Sequence, residues 1–339
     1  MTLTHKIILI LIAVALILRI PILLVRYFDP DEFEHLHAAR NIYHGMVPYR
    51  DYFEHHTPFL HFLIAPLYLF LGGKIPLIFV ARSIMLIFTC GILYLTYRLT
   101  KLLYGVDAAL YATMFLSYMI MFLEKTIEIR PDLPGVTFWL LTLIFFITGI
   151  SSKRRLHFLL SGVMIGSAIL STQKSLFAAM GLFLALVWFL FDRRTGFSLK
   201  ERAISFLWVG LGLLIPVVIT CLYFLPQRAL DDFIYRNFIM NLHWRSKFWP
   251  YDYINQAFRQ NIFFCAFGLV GLVIATLQLR KREEVVKGSF APAISTYMLI
   301  GGAFFIPPSP RPDYFPILSY IRRGAGWGRG LISGGAGLL

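Results

Sequence analysis

HKIILILIAVALILRIPILLVR, residues 5–26, is an apolar run close to the roughly 20 residues that cross the hydrocarbon of a bilayer. It looks at first like a secretory leader. It is long for one, however, and has no small-residue cleavage pattern, so it is expected to remain as a first helix. Runs of similar length recur at about 76–97, 106–123, 132–150, 157–172, 175–191, 204–224, 262–279 and 290–306, which makes about nine candidate spans. The fold class implied is all-α, a polytopic transmembrane helical bundle. Of 339 residues, 58% are hydrophobic and only 15% charged, more apolar surface than a soluble core of this size can bury. The 16% of aromatic residues suit lipid contact and interfacial belts.

The formal net charge of +14 could suggest a nucleic-acid partner, but its distribution argues against one. With the N-terminus in the cytoplasm, the cytoplasmic connections carry Arg98 and Lys101, then Lys153, Arg154 and Arg155, then Arg193, Arg194, Lys200 and Arg202, then Arg280, Lys281 and Arg282. This is the positive-inside pattern of a plasma (inner) membrane protein, and the basic excess meets lipid headgroups instead of nucleic acid. The apolar stretch at about 57–72, in HTPFLHFLIAPLYLFLGG, would break that pattern if it spanned. It is short and contains Pro58, His61 and Pro66, so it is expected as juxtamembrane or re-entrant structure in the first extracytoplasmic loop. Two extracytoplasmic loops are then long, at about 27–75 and 225–261; the second, with Phe233, Tyr235, Arg236, Trp244 and Trp249, reads as an interfacial lid. After about Tyr320 the chain becomes basic and Gly-rich, which divides it into a membrane domain over 1–320 and a tail without defined fold over 321–339. Cys90, Cys221 and Cys265 lie in apolar segments without CxxC spacing and support neither disulfides nor a thiolate metal site.

Residues 29–61 gather His35, His37, His44, His55, His56 and His61 with Asp29, Asp31, Glu32, Glu34, Asp51 and Glu54, far more acid and imidazole than any other loop holds. DPDEFEHLHAAR is expected to be helical after Pro30, with Asp31 and His35 on one face at i, i+4 and Glu34 beside them. A carboxylate and an imidazole so arranged can act as base and orienting partner, or ligate a metal. YRDYFEHHTPF reads as extended or turn-like, with Tyr52 and Glu54 to one side. Glu54 and His55 with one more donor could hold a divalent cation, although the spacing matches no specific metal pattern. No nucleotide cofactor is expected.

The run DEFEHLHAARNIYHGMVPYRDYFEHHTPFLHFLIAPLYLF, followed by EIRPDLPG at 128–135 and TQKSLF around Lys174, resembles the GT-C type membrane glycosyltransferases, in the branch of protein O-mannosyltransferases and aminoarabinose transferases. The resemblance extends over roughly residues 7 to 315. It implies transfer of a hexosyl or pentosyl group from a polyprenyl-phosphate donor to an extracytoplasmic glycan, lipid or protein hydroxyl. It also implies Asp31 as base with Glu32 in reserve, and substrate contacts at Tyr52, Glu54, Asp132 and Lys174, to which the residue reading adds His35 and Arg130. The chemistry agrees with those roles. An acceptor hydroxyl must lose a proton as it attacks, and a carboxylate can take it. A leaving lipid phosphate needs charge neutralisation more than a proton, which suits Arg130 and Lys174. One displacement without a covalent intermediate inverts the anomeric centre.

Two features depart from the family. His55 and His56 replace the lysine usual after the aromatic-Glu motif, and the chain ends early, as a truncated or frameshifted member would. The rival readings are a transporter or flippase of lipid-linked or small substrates and a non-catalytic envelope subunit. The first is opposed by acids that cluster in one loop and by the lack of an inverted repeat.

Overall fold

The computed structural model describes residues 2–191 and 196–240, with a few positions between 255 and 270. Helix α1, Leu3–Val25, starts where the Thr2 side chain accepts a hydrogen bond from the His5 amide at 3.3 Å. Helix α2, Pro30–Tyr43, begins at the predicted proline. Asp29 and Glu32 form a reciprocal capping box there, and proline at the first position sacrifices no bonded N–H. The doubtful apolar stretch becomes two short helices, α3 (Phe59–Ile64) and α4 (Leu67–Leu71), separated at Ala65 and Pro66. Neither is long enough to cross a bilayer, as expected of a juxtamembrane segment.

The expected helices at about 76–97 and 106–123 both form, on either side of a break at Gly105. They are the two arms of α5, Pro76–Tyr118, whose helical backbone is interrupted at Gly105, where φ is +88°. Its 43 residues would extend about 65 Å if straight, twice the hydrocarbon thickness, so a break is required. Only glycine takes that φ without a Cβ penalty. A second break at Met119, whose ψ is 124°, leads into the short α6, Ile120–Lys125. Helices α7 (Asp132–Ser152), α8 (Arg155–Ser171), α9 (Ser175–Phe191) and α10 (Leu199–Phe224) follow near the expected positions. The segment expected as a lid contains α11, Leu230–Ile234, and a π-helical turn, Tyr235–Ile239; its remainder, nearly all of the expected spans at 262–279 and 290–306, and the tail lie outside the described residues.

Among the described residues the structure is helical without strands, and α1, α5, α7 and α10 are each long and apolar enough to span a membrane. Helices α8 and α9, at 17 residues each, are apolar but shorter. Among the described residues four helices are thus of full spanning length, one of them holding two of the expected helices, with two shorter ones beside them. The expected spans beyond residue 261 lie almost wholly outside the described residues. Their outer surfaces are apolar in a way no soluble protein tolerates: Ile10, Ile17, Leu24, Leu207, Val218, Ile219 and Leu222 are all exposed. Inside α1, the buried Arg19 donates to Ala15 O of its own helix at 2.7 Å and to Ser117 O at 2.9 Å, just before the break at Met119.

Helix α8 packs between α7 and α10, while α5 joins α1 to α7. The contact of α8 with α10 is close enough to exclude side chains. A Cβ on Gly162 would lie 2.0 Å from Val209 O, and one on Gly212 would lie 2.1 Å from Leu159 O. Between the far ends of α7, α8 and α9, Phe146, Phe158, Phe189 and Phe197 pack edge to face and tilted with ring centroids 5.5–6.5 Å apart. The polar residues gather at the opposite end of these helices. Gly162→Val is expected to abolish the monodisperse gel-filtration peak of the detergent-purified protein. Gly210→Ala, where a Cβ meets nothing within 4 Å, is expected to leave the peak intact.

Candidate functional site

The site is assembled where α2, α7 and α9 begin, so the positive ends of three helix dipoles lie at one end of the bundle. A buried ion pair holds this end together. Glu32 and Arg82, both inaccessible to solvent, meet in bidentate fashion, with Nε to Oε1 at 2.8 Å and Nη2 to Oε2 at 2.6 Å. Arg82 also donates to the carbonyls of Leu23, Arg26 and Tyr27, closing the end of α1. Glu32 accepts from the amides of Asp29 and Ile129 at 3.0 and 3.2 Å. It therefore spends both oxygens on structure, which makes it an anchor and leaves nothing for the reserve base expected of it.

Four of the predicted site residues, from three distant stretches, form one chain of contacts. Asp31 Oδ2 lies 3.3 Å from Arg130 Nη1; Arg130 Nε lies 3.6 Å from Asp132 Oδ2; and Asp132 Oδ1 lies 3.1 Å from Lys174 Nζ. Asp31 is half-exposed, whereas Arg130 is largely buried. Glu128, fully buried, sits behind Arg130 at 3.0 Å and also meets Lys125 and Arg26. Burial works against the Arg130 charge, but Asp132, Glu128 and Asp31 outweigh it and hold the guanidinium pKa above its usual value.

The remaining candidates form a second group beside the first. Asp31 and His35 do not act as the expected pair on one face. Asp31 turns to Arg130, while the buried His35 places Nδ1 3.1 Å from His61 Nε2. His61 in turn lies 3.8 Å from Glu54 Oε2. Burial draws the His61 pKa down to about 4. Burial would raise that of Glu54, yet the His56 ring and amide and the facing imidazoles hold it at about 2. His35 is a buried neighbour of these groups and has no half-exposed atom comparable to Asp31. Tyr52 is part-buried, its hydroxyl donating to Ala38 O at 3.2 Å.

Glu54 and His55, the expected metal donors, are joined by two residues that sequence spacing did not single out for this role. Glu34, Glu54, His55 and His56 each offer a ligand atom, all within 4.8 Å of one another. His56 Nδ1 is 3.0 Å from Glu54 Oε1 and 3.7 Å from Glu34 Oε1, and His55 Nδ1 is 3.5 Å from the same Glu34 oxygen. Two carboxylates and two imidazoles suit a borderline divalent ion such as zinc better than an all-oxygen ion such as magnesium. The sequence signal was present: Glu34 follows Asp31 by one helical turn, and His56 alternates with Glu54 in extended chain.

The profile of the dolichyl-phosphate-mannose-protein mannosyltransferase family matches residues 55–224, half of the chain. The chain belongs to that family. The matched region is narrower than the resemblance read over residues 7 to 315, and it begins at His55, after Asp31 and Glu54. A comparison with curated proteins gave no match. Among solved structures, the oligosaccharyltransferase of Archaeoglobus fulgidus in its apo form is similar at a TM-score of 0.55 and 16% identity, covering 88% of this chain and 49% of that one. AglB of the same organism, solved with an inhibitory peptide and a dolichol-phosphate, gives 0.55 and 14% over 100% of this chain and 53% of its own. The oligosaccharyltransferase in complex with Zn and sulfate gives 0.51 and 15%, over 87% and 48%. At these identities the likeness concerns the fold, and this chain spans about half the length of those structures.

Removing one partner of a buried, bidentate ion pair leaves a buried charge uncompensated, at a cost of about 3–5 kcal/mol. Glu32→Ala is therefore expected to lower the thermal midpoint of this family member sharply in a detergent melting assay. Asp31→Ala, at a half-exposed position, is expected to change it little. Equal midpoints for the two variants would contradict the anchoring role of Glu32.

Proposed function

We propose that this chain is a glycosyltransferase that moves a sugar from a polyprenyl-phosphate donor to a hydroxyl on an extracytoplasmic lipid, glycan or protein. The observation that carries the reading is the continuous chain Asp31–Arg130–Asp132–Lys174 at the clustered starts of α2, α7 and α9. Family membership supports it, as does the dolichol-phosphate bound by the archaeal protein of similar fold. The positive-inside distribution of Lys and Arg supports a plasma (inner) membrane location with the N-terminus in the cytoplasm and the site outside.

In this reading Asp31 is the base. Among the described residues only its Oδ2 is engaged, by Arg130, and its side chain is half-exposed, so an arriving hydroxyl can reach it. The acceptor O–H gives its proton to Asp31 as the oxygen forms a bond to the anomeric carbon. The bond from that carbon to the phosphate oxygen breaks, and the electron pair leaves with the lipid phosphate. Arg130 and Lys174 neutralise this developing charge, and the helix starts add partial positive charge from their N–H groups. Attack opposite the leaving group inverts the anomeric configuration. Tyr52 and Glu54 line the neighbouring loop as candidate sugar contacts, with His35 behind them.

Glu34, Glu54, His55 and His56 would hold a divalent ion of the zinc class. Such an ion, when bound, supplies a Lewis-acid charge beside the donor. The archaeal oligosaccharyltransferase of similar fold was solved in complex with Zn and sulfate, which supports the metal reading.

The test is transfer of radiolabelled sugar from a panel of polyprenyl-phosphate sugars to membrane acceptors. Wild type is expected to transfer from at least one donor, and Asp31→Asn to lose about 10²–10⁴-fold in turnover while still binding the donor. Undiminished turnover in Asp31→Asn would remove it as base. No transfer by well-folded wild type would favour a non-catalytic membrane subunit.

A further inference from the structure

In the turn that carries three of the four proposed metal donors, the backbone amides and carbonyls of His55 and His56 are all hydrogen-bonded. Glu54 Oε1 accepts from the amides of His55 and His56, both at 2.9 Å. The two carbonyls of the same residues are held from outside the loop's own short range. Gln173 Nε2 donates to His55 O at 2.6 Å, and the Tyr49 hydroxyl donates to His56 O at 2.8 Å. Neither Gln173 nor Tyr49 offers a ligand atom to the donor group, and neither belongs to the chain of contacts from Asp31 to Lys174.

Both residues are themselves held. Gln173 directly precedes Lys174 and makes a second hydrogen bond, from Nε2 to Asn237 Oδ1 at 3.0 Å. Asn237 is buried in the π-helical turn and donates to Phe233 O at 3.0 Å. Such turns place one extra residue in a helix and often mark functional positions. Here the turn brings an amide side chain against Gln173. Tyr49 is fully buried, with its ring 5.4 Å from that of Phe224 and 5.3 Å from that of Phe233. Its backbone takes a φ of +71°, unfavourable for a tyrosine and maintained by this packing.

From this geometry we infer that Gln173 and Tyr49 are positioning residues, which hold the His55 and His56 imidazoles toward Glu34 and Glu54 by gripping the carbonyls of the same two residues. The inference rests on the metal reading of the proposed function. It adds that the precision of the site is set by α9's approach and by the π-helical turn, neither of which supplies a donor. Gln173 thereby links the histidine turn to the neighbouring Lys174, so the ion and the phosphate-neutralising ammonium share one support. Outer partners of metal ligands typically change affinity by about 10–100-fold when removed.

The experiment measures zinc affinity by competition with a chromophoric chelator, alongside turnover and donor KM, for wild type, Gln173→Leu and Tyr49→Phe. Tyr49→Phe keeps the buried ring and deletes only the hydroxyl, so its fold is expected to survive, as checked by gel filtration. Each variant is expected to bind zinc about 10–100-fold more weakly and to lose turnover with little change in donor KM. Wild-type zinc affinity in a folded Tyr49→Phe protein would overturn the inference, whatever Gln173→Leu does. Zinc binding that falls in both variants, in a protein that transfers no sugar, would sustain the positioning role while the transferase reading fails. A wild type that binds no zinc would overturn the metal reading and the inference together.

Discussion

The buried pair of Glu32 and Arg82 is the constraint on which the polar end of this bundle depends. One carboxylate and one guanidinium settle the end of α1, the start of α2, the start of α5 and the backbone at Ile129, four segments far apart in sequence. Two desolvated charges are costly to keep, and their attraction compensates only when the remaining hydrogen-bonding capacity is used. Here it is used: the arginine serves carbonyls that α1 leaves without helical partners, and the glutamate serves amides. Asp31 and Glu34 are carried on the helix that this pair orients, and Arg130 on the segment whose Ile129 amide it holds. Their distances therefore follow from an interaction in which none of them takes part.

Behind the exposed Asp31 lies a graded arrangement of charge. Glu128 is buried among Arg26, Lys125 and Arg130, and Asp132 is shared by Arg130 and Lys174. Counting Asp31, Glu128 and Asp132 against Arg26, Lys125, Arg130 and Lys174, the group has one more positive than negative charge. Such a surplus, at a place where three helices begin, favours an anion arriving from the membrane side. The histidine and glutamate group alongside has a different character, with His35 and His61 buried, which disfavours their charged forms, behind Glu54, whose pKa its histidine neighbours lower in spite of burial. The two groups meet through adjacent residues, since Gln173 grips His55 and Lys174 pairs with Asp132.

Much of this was readable from residue order, and the failures have physical causes. Apolar length identified α1, α7 and α10, and the DPDE stretch announced the capped start of α2 through its proline and its acid spacing. Apolar length also placed the two arms of α5 on either side of residue 105, although apolar content could not give the positive φ of Gly105 that joins them. The family resemblance and the chemistry of a leaving phosphate marked Asp31, Arg130, Asp132 and Lys174 separately, yet their contact needs three loops to converge. Glu32 looked like a second base because its partner, Arg82, lies 50 residues away inside an apolar helix. Spacing of i, i+4 suggested that Asp31 and His35 cooperate, but burial turned His35 toward His61. Gln173 carried no titratable group to attract notice; only the carbonyl it meets gives it meaning.

The central claim is that a lipid-linked phosphate lies between Arg130 and Lys174. Its most direct test is photocrosslinking with a polyprenyl phosphate bearing a photoreactive group next to the phosphate, followed by peptide mapping. The account predicts label within residues 126–135 and 172–176, competed away by unlabelled polyprenyl phosphate. Label confined to the lipid-facing surfaces of α1 and α10, and unaffected by competitor, would contradict it.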